Sequence, residues 1–87
     1  MRVEWRDFAL DQLADLFVAA DPPARDEIER AVERINADLA DDPEQLGESR
    51  SSENRRVWFS FPLMVMFEIR RPEGLVQVTH TAGLKHR

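Results

Sequence analysis

The sequence has 87 residues, 43% of them hydrophobic, with a net charge of −5 and no cysteine. That length suffices for one small core, and the composition excludes a disordered chain, disulfides and thiolate metal sites. No stretch is apolar over the ~18 residues that a membrane-spanning helix requires, so we expect one cytoplasmic domain over residues 1–87.

The first half of the chain predicts one strand followed by two helices. RVEW at 2–5 alternates polar and apolar residues, which is typical of a short half-buried strand. Apolar residues then recur at helical spacing through 9–20, and DPP at 21–23 ends this first helix. A second apolar stripe follows, formed by Ile28, Ala31, Val32, Ile35 and Leu39. Because the turn between them is short, the two helices should pack as a hairpin.

The second half of the chain predicts three strands joined by short turns. Residues 44–54 are polar and rich in turn formers, which indicates a loop. Polar and apolar residues then alternate through 57–61, 63–69 and 76–80, with RPEG at 71–74 as a turn. The order β-α-α-β-β-β predicts an α+β fold, with the helical hairpin packed on one face of a mainly antiparallel twisted sheet.

Two arginines begin and two end the stretch RRVWFSFPLMVMFEIRR at 55–71. If the chain folds back at Pro62, the two pairs lie opposite each other, where like charges are destabilising. The sequence therefore predicts a site for RNA phosphates or acidic partner residues, formed by Arg50, Arg55, Arg56, Arg70 and Arg71. The alternatives are neutralisation by nearby glutamates and solvated strand ends that discourage edge pairing.

This basic cluster matches the uneven distribution of charge along the chain. Residues 49–87 contain 7 basic and 3 acidic residues, whereas residues 1–48 contain 5 basic and 14 acidic ones. Only the second half can therefore present a basic patch, and the acidic whole does not favour binding nucleic acid through bulk charge.

The strands contain two further candidate features. His80 is in phase with Val76 and Val78, so it is either a core-facing packing residue or the in-sheet proton carrier of an active site. The second feature is a set of even-numbered strand residues, Trp58, Met64 and Met66, which are predicted to share one face of the sheet. Exposed Met and aromatic side chains on a sheet indicate a protein-binding patch. The alternative is that the C-terminal tail or the 44–54 loop covers this patch. No ligand spacing for a metal is recognised, and no cofactor is predicted.

Several phrases in order resemble the RelE/ParE superfamily, the small toxins of bacterial toxin–antitoxin and plasmid-stabilisation systems. They are the opening strand with its tryptophan, ALDQLADLF, ARDEIERAVERINADLADDP, LGESR, RRVWF, PLMVMFEI and VQVTHTA. The resemblance extends over nearly all of the chain. It implies the fold derived above and a cognate antitoxin as partner, while a homodimer stays open.

The resemblance implies two alternative activities, because the superfamily has two branches. One branch of the superfamily cleaves mRNA in the ribosome, which would use Arg55 or Arg56 for phosphorane charge and His80 or Lys85 for proton transfer. That branch usually has an arginine where this chain has Met64, and a tyrosine or histidine near its C-terminus, whereas this chain has no tyrosine. The other branch inhibits DNA gyrase by binding. These departures favour binding, and a diverged, non-catalytic protein-binding module is the further alternative.

Overall fold

The computed structural model describes residues 1–46, 48–50 and 52–84, and side chains within 1–46 and 54–84. The strands and helices are β1 (Arg2–Trp5), α1 (Asp7–Ala19), α2 (Pro22–Asp41), β2 (Glu48–Arg50), β3 (Ser52–Ser60), β4 (Leu63–Arg70) and β5 (Leu75–Gly83). Short 3-10 turns occupy Pro43–Gln45 and Arg71–Glu73. No helix in the described ranges is long and apolar enough to span a bilayer.

One five-stranded sheet has the strand order β1-β5-β4-β3-β2. β1 pairs with β5 in parallel, and every other pair is antiparallel. The predicted α+β fold with a mainly antiparallel sheet is confirmed, and β2 is an additional strand. It lies in the 44–54 segment that was predicted as a loop. A polar three-residue edge strand shows no hydrophobic alternation, so the pattern that reveals the other strands is missing there.

α2 supplies the helical side of the core. The aspartate before it, Asp21, accepts a hydrogen bond from the Ala24 N–H at 2.9 Å, which satisfies one of the free donors at the helix start. The predicted stripe is buried at Ile28, Ala31, Ile35 and Leu39, and Val32 is half-buried beside it. These side chains pack on a sheet face formed by Leu63, Val65, Phe67, Ile69, Val76 and Val78.

α1 lies along β5 and covers the part of that strand which β1 does not reach. The last residue of β1, Trp5, is opposite Val78, so the outer edge of β5 is unpaired beyond that point. There the Thr81 N–H donates to Gln12 Oε1 at 2.8 Å, and the Thr81 hydroxyl donates to the Ala9 carbonyl at 3.1 Å. Thr81 is only 2% exposed, so α1 replaces a missing strand in a dry environment.

The β3–β4 hairpin turns at Phe61-Pro62, as predicted, and places Ser60 opposite Leu63. Residues directly opposite share a face, so Trp58, which pairs with Val65, is on the helix side of the sheet. Met64 and Met66 lie on the other face, together with Phe59 and Val57. The predicted grouping of Trp58 with the two methionines is therefore wrong. Across this two-residue turn, an even-numbered residue of β3 pairs with an odd-numbered residue of β4 and shares its face. The even-numbered Trp58 therefore lies on the face opposite to Met64 and Met66.

A β-bulge interrupts the pairing of β4 with β5. Met66 pairs with His80 and Phe67 with Val78, which leaves Thr79 as the extra residue. The inserted residue reverses the alternation of β5, so His80 shares a face with Met66 and is exposed. The prediction that His80 stays in phase with Val76 and Val78 is wrong, because the extra residue of the bulge interrupts the alternation of side chains between the two faces.

Candidate functional site

The face of the sheet that points away from the helices, called the open face below, holds His80. Its Nδ1 lies 3.0 Å from the Thr79 hydroxyl oxygen, and that hydroxyl lies 3.3 Å from the Met66 carbonyl oxygen. The ring packs edge-on against Phe8 of α1, with 5.4 Å between centroids and 79° between planes. Among the described residues, none forms a hydrogen bond with Nε2. No three His, Asp or Glu side chains in the described part are grouped to hold a metal ion.

An apolar patch shares the open face with His80. Phe59 is 52% exposed and lies directly opposite Met64, while Met66 lies opposite both Val57 and His80 on its two neighbouring strands. Both methionines are half-buried. The patch therefore combines polarizable thioethers, an exposed aromatic ring and one imidazole, which is a composition suited to contact with another protein.

Arg70 and Arg71 do not face the other arginine pair. Arg70 donates from Nε to Glu73 Oε2 at 3.0 Å and from Nη1 to Gln77 Oε1 at 3.2 Å. Arg71 Nη2 lies 2.6 Å from Glu44 Oε1, and Arg71 also donates to the Asn54 side chain. The hydrogen bond from Arg71 lowers the pKa of Glu44 below its ordinary value of 4.5, because it stabilises the carboxylate. Neutralisation by a nearby glutamate, the alternative reading of this half of the cluster, is observed for Arg70, whereas the carboxylate at Arg71 comes from Glu44, which is distant in sequence.

Arg55 and Arg56 point to opposite faces of the sheet. Arg55 lies opposite Glu68 on the open face. Arg56 lies opposite Phe67 on the helix side, where its Nη1 donates to the Leu46 carbonyl at 3.4 Å. Its Nε is buried and has no hydrogen-bond partner among the described residues. The expected placement of these two residues opposite the second arginine pair is wrong, because the register puts residues 67 and 68 there.

The remaining predicted site residues are not brought together either. His80 and Arg56 lie on opposite faces of the sheet, so they cannot act on one phosphate. The backbone of Arg50 is in β2, but its side chain lies outside the described residues, as does the whole of Lys85. Of the predicted catalytic residues that are described, His80 and Arg55 share the open face.

The chain is similar in structure to several solved proteins. No protein-family model matches the sequence, and no curated protein matches it. The ParDE toxin–antitoxin system of P. aeruginosa matches with a TM-score of 0.74 and 14% identity, covering 98% of this chain and 97% of that one. The RelBE2 toxin–antitoxin complex of Mycobacterium tuberculosis matches with a TM-score of 0.70 and 17% identity, covering 93% and 87%. The intact E. coli RelBE toxin–antitoxin complex has a TM-score of 0.64 and 10% identity, covering 98% and 96%.

This chain has the RelE/ParE fold. The resemblance given by the sequence phrases is confirmed at the level of structure over almost the full length of both chains. At these identities the likeness extends to the fold, and the site must be argued from the residues of this chain.

Within this RelE/ParE fold, sequence reasoning missed three residues that form or border the open face. Phe59 was not among the residues predicted for the exposed patch, yet the two-residue turn at 61–62 is enough to place it opposite Met64. Phe8 and Thr79 surround His80. No signal in the sequence shows either contact. Phe8 reaches His80 from a helix that is distant in sequence, and the contact with Thr79 depends on the bulge.

A second apolar surface of the RelE/ParE fold lies on the helices. α1 exposes 44% of Leu10 and 74% of Val18. A groove of about 530 Å³ separates α1 from α2, and its acidic side is formed by Glu29 and Glu33. No hydrogen bond or ion pair engages either carboxylate within the described residues. An amphipathic helix that is apolar on more than one side is unusual at a surface unless it contacts another chain.

Proposed function

We propose that this chain is the toxin of a type II toxin–antitoxin pair, which arrests growth by binding a target and is neutralised by a cognate antitoxin. The observation that supports a toxin is the match, over 98% of the chain, to the fold of the ParDE and RelBE structures. Two separate exposed apolar surfaces, the open-face patch and the α1 side of the helical groove, leave room for both a target and an antitoxin.

The geometry favours binding over RNA cleavage. A phosphorane intermediate requires cationic donors aimed at the same side as the proton carrier. Arg56 is on the opposite face from His80, and Arg70 and Arg71 hold Glu73 and Glu44. Arg55 shares the open face with His80 but lies opposite the carboxylate of Glu68. No described arginine forms a hydrogen bond with His80. The open face is instead apolar around the imidazole, which suits a protein contact.

The target surface in this proposal is the open-face patch of Phe59, Met64 and Met66. Phe59→Glu places a charge where an apolar contact is expected, and the residue is 52% exposed, so the fold should tolerate the change. Ala37→Glu adds the same charge at an exposed position of α2 and serves as the matched control.

Induced expression in a bacterial culture tests the proposal. The wild-type chain and Ala37→Glu should arrest growth, whereas Phe59→Glu should not, although circular dichroism should show all three to be folded. Co-expression with the antitoxin should restore growth in the first two cases. Arrest by Phe59→Glu at the wild-type inducer concentration would show that the target binds elsewhere.

DNA supercoiling and transcript integrity, read from the same cultures, separate the two targets of such toxins. Altered supercoiling with intact mRNA would identify gyrase. Cleaved transcripts would identify a ribosome-dependent endoribonuclease. This second candidate is favoured by the exposed His80, whose Nε2 forms no hydrogen bond within the described part of the chain. Normal growth with folded wild-type protein would contradict the toxin proposal and leave a non-catalytic protein-binding module.

A further inference from the structure

The bulge at Thr79 does more than expose His80. In a regular strand, residue 79 would face the open side and residue 80 would face the helices. The extra residue instead leaves Thr79 and His80 adjacent, with their side chains 3.0 Å apart between hydroxyl oxygen and Nδ1. Bulges that re-aim a side chain in this way are common beside functional sites.

The second contact of the Thr79 hydroxyl decides which group donates to which. A hydroxyl has one proton, and the oxygen of Thr79 also lies 3.3 Å from the Met66 carbonyl, which can only accept. When this proton is directed to Met66, on the strand across the bulge, the hydroxyl accepts at His80, and Nδ1 then carries the proton of the neutral ring.

The opposite ring nitrogen follows from this assignment. With Nδ1 protonated, Nε2 of the neutral ring has a lone pair and is a hydrogen-bond acceptor. Phe8 holds the plane of the ring through an edge-on contact at 5.4 Å, so the lone pair has a defined direction. His80 is exposed, and within the described chain nothing bonds Nε2.

We infer that Thr79 is a positioning residue that holds His80 in its Nδ1–H tautomer and presents Nε2 on the open face as a hydrogen-bond acceptor. The partner group would be an N–H or O–H donor of the bound target, placed next to the apolar surface of Met66. The tautomer stands on the contacts of this chain alone, whereas the role of Nε2 toward a target rests on the proposed function.

Long-range ¹H–¹⁵N correlation spectra of the imidazole test the tautomer directly. The chain contains one other histidine, so His86→Gln leaves a single ring to observe. In that background, with the pH raised until the ring shifts are constant, Nδ1 should have the shift of a protonated nitrogen and Nε2 that of an unprotonated one. Thr79→Ser should retain this pattern, and Thr79→Val should lose it. A protonated Nε2 in the parent chain would overturn the inference.

Thr79→Val keeps a β-branched side chain of similar volume, so it should fold, and the backbone amide spectrum of each variant verifies this. If Thr79→Val is unfolded, Thr79→Ser and the parent still decide the tautomer. If the His80 ring of a folded Thr79→Val variant remains protonated at Nδ1, the hydroxyl is not what positions it.

Titration of the inducer tests the role of Nε2 toward the target. Loss of one hydrogen bond corresponds to roughly a 2- to 10-fold loss of affinity. Thr79→Val should raise the inducer concentration for half-maximal arrest by about that factor, while Thr79→Ser should not. Full arrest by Thr79→Val despite an altered tautomer would overturn this role. Absence of arrest by the wild type would instead refute the proposed function, with the tautomer decided by the spectra.

Discussion

The contact between Gln12 and Thr81 allows a sharp test of how α1 replaces a strand at the edge of β5. Gln12→Met keeps the length of the side chain but removes the acceptor that lies 2.8 Å from the Thr81 N–H. Because Thr81 is 2% exposed, water cannot readily take the place of the lost acceptor. A buried donor left without a partner costs about 1–3 kcal/mol. We expect a loss of about 2 kcal/mol in the free energy of unfolding, which corresponds to roughly 8–16 °C in Tm for a domain of this size.

Urea denaturation followed by circular dichroism measures this difference, and Gln12→Glu is the control. The glutamate retains an oxygen acceptor at the same reach, so at neutral pH it should remain close to the wild type. If the free energy of unfolding of Gln12→Met is within about 0.5 kcal/mol of the wild type, this hydrogen bond does not stabilise the edge of β5. The covering role of α1 would then rest on apolar packing and on the bond from the Thr81 hydroxyl to the Ala9 carbonyl.

Three further comparisons of variants give separate expectations. Trp5 donates from Nε1 to Asn36 Oδ1 at 2.7 Å, whereas the buried Nε1 of Trp58 has no partner among the described residues. In urea denaturation Trp5→Phe should therefore cost about 1 kcal/mol more than Trp58→Phe, and equal costs would contradict the pairing. Arg71 lowers the pKa of Glu44, so the stability that this carboxylate contributes is present above pH 4.5 and is lost as the pH falls through the lower folded pKa. Unfolding curves of Glu44→Gln and wild type should therefore converge in acid, and a difference independent of pH would refute this. Gly74 has φ of 60° with open space around its Cβ position, so Gly74→Ala should lower stability by about 1–2 kcal/mol, and Gly74→Asn by less.

Most of the fold follows from periodicity in the sequence. The stripe from Ile28 to Leu39 identified α2 and its buried side, because a helix with one apolar stripe has only one way to face a sheet. The turns at 61–62 and 71–74 set three strands in order. β2 was not predicted, because a short polar edge strand is stabilised by pairing with β3 and has no apolar pattern of its own.

The candidate site was harder to predict because it depends on register. A prediction that Trp58 lies beside Met64 requires knowing only that both are in strands, but the correct partner, Phe59, requires the turn length as well. His80 depends on a single inserted residue, which reverses its direction. The arginine pairs separate for the same reason, and their carboxylate partners come from as far away as Glu44.

The pairing of β1 with β5 has a consequence for the newly made protein. The partner of Arg2 on β5 is Leu75, and Ala9 is bonded to a residue 72 positions later, so both contacts wait for β5 to be synthesised. At ribosomal rates of roughly 5–20 residues per second, the first strand waits on the order of 4–15 s for the strand that completes the sheet. Until β5 emerges, the bulge, His80 and the finished open face do not exist. The surface that we propose to bind a target is therefore complete only after β5 has been synthesised.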